Sequence, residues 1–197
     1  MPLSRPVIIE AALKLLNEVG LDGLSTRRLG AVLGVEGPAL YRHFATKQEL
    51  IDEMARALFR TMREMPTGLD WAESVVTRAR LTRHAILSHR DGARLIANAW
   101  PQGMDVDAIT LPFRDAGFSR REAIYIHIAF GRFIIGWTSS EQAMIGRDLP
   151  PEHNIDGDEA FDFSLETLIA GLRVRLIRLA PPHDDSASSL RAASTAG

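Results

Sequence analysis

Between Ser25 and Lys47 the chain reads STRRLGAVLGVEGPALYRHFATK, with Arg27, Arg28, Arg42 and Lys47 set against Glu36 alone. Cationic side chains interleaved with Tyr41 and His43 suit contact with phosphates and base edges. Arg42 carries a fork that fits guanine O6 and N7, or a phosphate. Pro38 or Ala39 could meet a thymine methyl, and Gly37 and Ala39 let backbone come close to bases. Tyr41 and Lys47 suit phosphate positioning, as does Thr26 at the front of a helix. The alternative is that Arg27, Arg28 and Arg42 form an ordinary solvated helix face.

Other chemistries find little support. With no cysteine among 197 residues, disulfides, thiolate catalysis and cysteine-based zinc sites are excluded, and a reducing compartment is compatible. There is no Ser-His-Asp order, phosphate-binding glycine loop or HExxH, and His84 and His89 lack metal-ligand spacing. We therefore expect no enzyme, no cofactor and no metal. The formal net charge is -2, so any charge that binds nucleic acid must be local. Met1 precedes a capped amphipathic pattern rather than a charged leader and apolar segment, which points to a cytoplasmic protein. The most apolar run, 123–137, is shorter than the roughly 18 residues a membrane span needs and contains His127 and Arg132.

The elements that must position this stretch are all helical, and no convincing strand appears. Ile8, Ala12, Leu15 and Val19 form one apolar stripe, stopped by Gly20. Ser25 is an N-cap for a second helix carrying Leu29, Val32 and Leu33 inward, and Gly34 ends it. Pro38 opens a short third helix with Leu40 and Phe44 inside. Two helices joined by a glycine turn, the second short and exposed, describe a helix-turn-helix. Thr46 and Glu49 form a capping box for a long fourth helix with Leu50, Met54 and Leu58 in register. Pro66, Thr67 and Gly68 break it. Asp70 and Ser119 cap further helices, and Pro112 predicts a kink or early stop. Residues 146–158 read as a loop. A last helix, about 159–179, carries Leu165, Leu168, Leu172, Leu176 and Leu179 on one face. The expected divisions are a DNA-binding domain over 1–47, a connecting helix over 48–65, an effector-binding and dimerisation domain over 66–180, and a disordered tail over 181–197.

The stretch 9–51 resembles the N-terminal domain of the TetR family of bacterial transcriptional repressors, through TRRLGAVLGV, PALYRHF and the Lys47 that follows. AILSHRDGARLIANAWP, GFSRREAIYIHIAFGRFIIG and DGDEAFDFSLETLIAGLRVRL resemble the C-terminal domain of the tetracycline-repressor branch. The resemblance implies an all-α fold, an N-terminal helix-turn-helix linked by a long helix to a C-terminal ligand-binding domain. It implies that Thr26 and Arg27 contact phosphate and guanine. It places the base readers on Gly37, Pro38, Ala39, Tyr41, Arg42 and His43, and a phosphate contact on Lys47. Gly37, Ala39 and Arg42 stand where tetracycline repressors have glutamine, threonine and tryptophan. Losing the glutamine removes an adenine-type reader, so a different operator is expected.

The resemblance also places a small-molecule effector in the C-terminal domain, among Arg63, Arg78, Thr82, Ile96, Ala99 and Trp100, with His127, Phe130, Phe133 and Trp137 as a further wall. At the positions of the tetracycline repressors' drug and magnesium ligands stand Arg63, Arg78, Ile96 and Ala99, with Ser140 near the glutamate. Ile96 replaces the metal-ligating histidine and cannot coordinate Mg²⁺, so tetracycline–Mg²⁺ is not the expected effector. Arg63 and Arg78 either recognise an anionic effector or pair with protein acids such as Glu64 and Glu73. His127, Phe130, Phe133 and Trp137 are otherwise core or dimer packing. The helices over 123–141 and 159–179 are expected to form a four-helix bundle in a homodimer. Together these features describe a ligand-responsive regulator on a double-stranded DNA operator. The competing description is a helical interaction module with a vestigial DNA face.

Overall fold

The computed structural model describes residues 3–61, 68–99, 105–147 and 155–179, without the side chain of Thr61. Among them there are helices and no strands: α1 (Arg5–Gly23), α2 (Thr26–Leu33), α3 (Gly37–Leu40), α4 (Lys47–Thr61), α5 (Trp71–Leu87), α6 (Gly92–Asn98), α7 (Val106–Asp115), α8 (Arg120–Met144) and α9 (Gly157–Leu179). Arg63, Trp100, the break at 66–67, most of the loop over 146–158 and the tail over 181–197 lie outside the described residues.

Helices α1–α4 make the head. Ile8, Ala12, Leu15, Leu16, Leu29, Leu40, Phe44, Leu50, Met54 and Leu58 are buried together. Pro6 falls in the first turn of α1, where its missing N–H costs nothing. At Gly20 the backbone leaves helical geometry (φ 70°, ψ 175°), so α1 is broken where the stripe predicts, although a further turn continues to Gly23. Ser25 caps α2 by accepting a hydrogen bond from the Arg28 amide at 3.2 Å, a contact worth about 1 kcal/mol. The head meets the body through α4, which packs on α1, α5 and α6.

The body is α5–α9. Both ends of the Asp70–Glu73 and Ser119–Glu122 capping boxes are formed, so α5 and α8 start where expected. Buried Val75, Ala79 and Ile86 of α5, Leu95 and Ile96 of α6, and Ala123, Ile126, Phe130 and Ile134 of α8 belong to the core. Phe133 and Trp137 pack on Phe161 at ring-centroid distances of 5.3 and 5.6 Å, which docks α9 onto α8.

Four expectations need correction. Val32 of α2 faces outward and is exposed, while Leu29 is buried and Leu33 half-buried. Pro112 does not stop α7, which continues to Asp115; the Ala116 amide still bonds the Pro112 carbonyl at 3.2 Å. The inward face of α9 is Phe161, Leu165 and Ile169, with Leu172 and Leu176 partly buried, while Leu168 and Leu179 are exposed. Several stripes on that helix are apolar, so leucine spacing alone chose the wrong one. In the Thr46 box, Thr46 Oγ1 accepts from the Glu49 amide at 3.0 Å, but the Glu49 carboxylate accepts from the Ala45 amide instead of closing on Thr46.

Candidate nucleic-acid interface

Helices α2 and α3 meet closely because of two glycines. Gly34 closes α2 in the left-handed region (φ 67°, ψ 29°), which its missing Cβ permits. Gly30 is buried inside α2, and a Cβ there would lie 2.7 Å from the Val35 carbonyl oxygen and 3.0 Å from the Gly37 amide. Any side chain at that position would push α3 away. The sequence did carry a signal for Gly30, a glycine inside a helical stripe, but it was not read as a contact point.

The third helix is shorter than the stretch expected to read bases. Only Gly37–Leu40 is α-helical. Tyr41, Arg42 and His43 follow in a tighter turn whose amides bond the carbonyls of Pro38, Ala39 and Leu40, three residues back. Leu40 and Phe44 anchor the turn in the core. Arg5 clamps its far end: Nη1 donates to the His43 carbonyl at 2.8 Å, Nη2 donates to Glu49 at 2.7 Å, and the guanidinium lies 4.6 Å from the Phe44 ring centre. Arg5 was not anticipated, because its partners are 38 and 44 residues away.

Arg27, Pro38, Tyr41, Arg42 and Lys47 are exposed, whereas Thr26, Gly37, Ala39 and His43 are half-buried. Among the described residues Arg27, Arg42 and Lys47 make no ion pair. Several arginines elsewhere are paired, Arg56 with Glu53, Arg80 with Asp162, Arg83 with Glu141 and Asp158, Arg94 with Asp22, Arg120 with Asp107, and Arg175 with Glu122, although Arg78 and others are not. Arg28 is also spent internally, donating to the Gly23 carbonyl at 3.0 Å. Arg27, Arg42 and Lys47 are thus cations with no ion pair among the described residues, and they are gathered on α2, the turn after α3 and the start of α4.

The residues expected around an effector are distributed over α5, α6 and α8. Arg78 is exposed, Thr82, Ala99 and His127 are half-buried, and Ile96 and Phe130 are buried. Thr82 Oγ1 donates to the Arg78 carbonyl at 2.7 Å. Burial lowers the His127 pKa below 6.5, and the nearby Arg78 charge lowers it further. Arg78 and Thr82 of α5 and His127 of α8 thus form one neighbourhood. Two clefts open elsewhere: one of about 530 Å³ lined by Pro6, Ile9, Leu13, Ala57, Leu81 and His84, and one of about 470 Å³ lined by Arg80, Arg83, Asp158 and Asp162. Neither contains a residue of the expected effector set.

A glycine-closed pair of short helices with an unpaired cationic face, carried on an all-helical body, defines a helix-turn-helix protein. The family model for "Bacterial regulatory proteins, tetR family" matches residues 8–54, and that for "Tetracyclin repressor-like, C-terminal domain" matches residues 64–148. The chain is 33% identical to the class D tetracycline repressor protein of Escherichia coli, over 90% of this chain and 92% of that protein. It is similar to a TetR variant from Acinetobacter baumannii AYE crystallised with minocycline, with a TM-score of 0.81 and 33% identity over 92% of this chain and 98% of that one. It is also similar to BioQ bound to its natural double-stranded DNA operator, with a TM-score of 0.72 and 32% identity over 87% of this chain and 98% of that one. The chain belongs to the TetR family of helix-turn-helix transcriptional regulators.

Proposed function

We propose that this regulator is a repressor that binds a palindromic operator as a homodimer and is released by a small-molecule effector other than tetracycline–Mg²⁺. The observation that carries the DNA-binding part is the unpaired set Arg27, Arg42 and Lys47 beside exposed Tyr41. In this proposal Arg27 and the 37–43 segment read bases, while Thr26, Tyr41 and Lys47 hold phosphates. Residues 1–47 act as the DNA-binding unit, 48–65 as the connection and 66–180 as the sensing and dimerisation unit. Two heads bind successive major grooves, about 34–36 Å apart. An effector near Arg78, Thr82, Ile96, Ala99 and His127 shifts α4 and spoils that spacing. It does so only through a higher affinity for the released state.

Arg27→Ala should cost roughly 1–3 kcal/mol, concentrated at one base position, while Lys47→Ala should weaken all sequences alike. Gel shifts on the DNA upstream of the protein's own gene and on random duplex, at two salt concentrations, separate the two. Equal losses for Arg27→Ala on both DNAs would remove Arg27 from the base readers. Buried Ile96 stands where a magnesium-binding histidine is expected. Tetracycline should therefore leave the melting temperature unchanged with or without Mg²⁺, and a Mg²⁺-dependent rise would overturn the effector assignment.

A further inference from the structure

Helix α6 belongs to the body, yet it touches the head at two points one helical turn apart. At the first, Arg94 makes a two-pronged contact with Asp22 at the end of α1, Nη1 to Oδ2 at 3.0 Å and Nη2 to Oδ1 at 2.9 Å. At the second, the Asn98 carbonyl accepts from Gln48 Nε2 at 2.8 Å, in the first turn of α4. Asn98 Nδ2 also donates back to the Arg94 carbonyl at 2.7 Å, which ties the two points together. Asp22 and the start of α4 thus lie side by side along one face of α6. Lys47, the neighbour of Gln48, is the residue assigned above to phosphate contact.

Asp22 is an unusual residue to find there. It is 84% exposed and carries negative charge at the edge of a surface that must approach DNA. Arg94 is the principal cause of its lowered pKa, and the charge of Lys47 also contributes. The carboxylate therefore feels two cations, one from the body, which it contacts, and one from the start of α4. An exposed ion pair of this kind contributes little to folding stability, so its purpose is better sought in the field it sets.

We infer that Asp22 is a positioning residue through which α6 sets the charge of the DNA-binding face. While Arg94 holds Asp22, Lys47 is free to bind phosphate. When α6 withdraws, Asp22 takes Lys47 as its counter-ion and withholds that cation from the duplex. Ile96 and Ala99 of the expected effector site lie on or beside this same short helix, so an effector that displaces α6 acts on Lys47 without touching DNA. The inference rests on the DNA-binding reading of Lys47.

Binding of a fluorescent mixed-sequence duplex over a range of salt concentrations tests it, since each phosphate contact contributes about 0.9 to the slope of log affinity against log salt. Arg94→Ala should weaken binding about tenfold at low salt and reduce the slope by about 1 per protomer. Asp22→Asn combined with Arg94→Ala should restore both affinity and slope. Lys47→Ala added to that double variant should abolish the restored affinity and slope, because Lys47 is the cation that the loss of the Asp22 charge releases. All three positions are exposed, so melting temperatures near wild type are expected and serve as the control for folding. A double variant as weak as Arg94→Ala would show that the pair merely docks the head on the body, and would overturn the inference. So would Arg94→Ala with an unchanged salt slope. A wild-type chain that ignored the duplex at low salt would instead overturn the DNA-binding reading itself.

Discussion

His127 is half-buried on α8 with Arg78 beside it, and both effects favour its neutral imidazole. Its folded pKa lies below the ordinary 6.5, so between the two values the unfolded chain binds more protons than the folded one. The stability this residue supports is therefore fully present above about pH 6.5 and is lost as pH falls through the lower folded value. His127→Gln should flatten the decline in melting temperature between about pH 8 and pH 5. A variant with the wild-type decline would remove His127 from this role. Near neutral pH, a neutral imidazole next to an unpaired guanidinium offers an effector both a hydrogen-bonding ring and a charge. Arg78 makes no ion pair among the described residues, so it does not pair with Glu73, while Glu64 lies outside them. Glu73 is occupied at 2.9 Å with the Asp70 amide.

Helix starts were legible because the rules that set them are local. Ser25, Asp70 and Ser119 each accept from an amide three residues on, and nothing beyond four residues of sequence is needed to expect that. The cationic face was legible for the same reason, since Arg27, Tyr41, Arg42 and Lys47 lie within two short elements. What was not legible depends on distant partners. Nothing local says that Arg5 bonds the His43 carbonyl, that Arg94 pairs with Asp22 across 72 residues, or that Arg83 on α5 gathers Glu141 and Asp158. Gln142 is a further case: Nε2 donates to the His89 carbonyl at 2.7 Å and Oε1 accepts from the Ala93 amide at 3.0 Å, fastening α8 to the α5–α6 turn. That turn also holds Asp91, a non-glycine residue at φ 56°, whose carboxylate accepts from the Leu21 amide at 2.8 Å. Joined with the α6 contacts, these bonds form a continuous physical route from α8 to α1. The neighbourhood proposed for the effector could be suggested only through family resemblance, because Arg78 and Thr82 lie on α5 and His127 on α8, which pack together only in the fold.

At the scale of the whole molecule, the outer faces of α8 and α9 are too apolar for solvent. On α9, Phe163, Thr167, Ala170, Val174 and Ile177 recur at spacings of four and three residues; Phe163 is 71% exposed and Ile177 74%. That is the period of a helix seam that packs against another helix. On α8, Tyr125 and Ile128 are exposed, and a Cβ placed on Gly131 or Gly136 of α8, or on Gly171 of α9, would meet nothing within 4 Å. Contiguous apolar surface with open space above small residues marks an interface, and in the proposed homodimer a second copy supplies the other half. The seam lies on α8 and α9 while the side chains proposed to face DNA lie on α2–α4, so disrupting it should leave each head intact but unpaired. Val174→Asp with Ile177→Asp would bury two unpaired carboxylates per protomer in such a bundle, a cost large enough to dissociate it. The variant should sediment as a monomer, keep its helical circular dichroism, and bind operator at least about two orders of magnitude more weakly, because the second half-site loses its local concentration. Binding to random duplex, a property of each head, should change far less. If the double aspartate variant remained a dimer with full operator affinity, the interface would have to lie elsewhere, and the apolar stripe of α9 would need another partner.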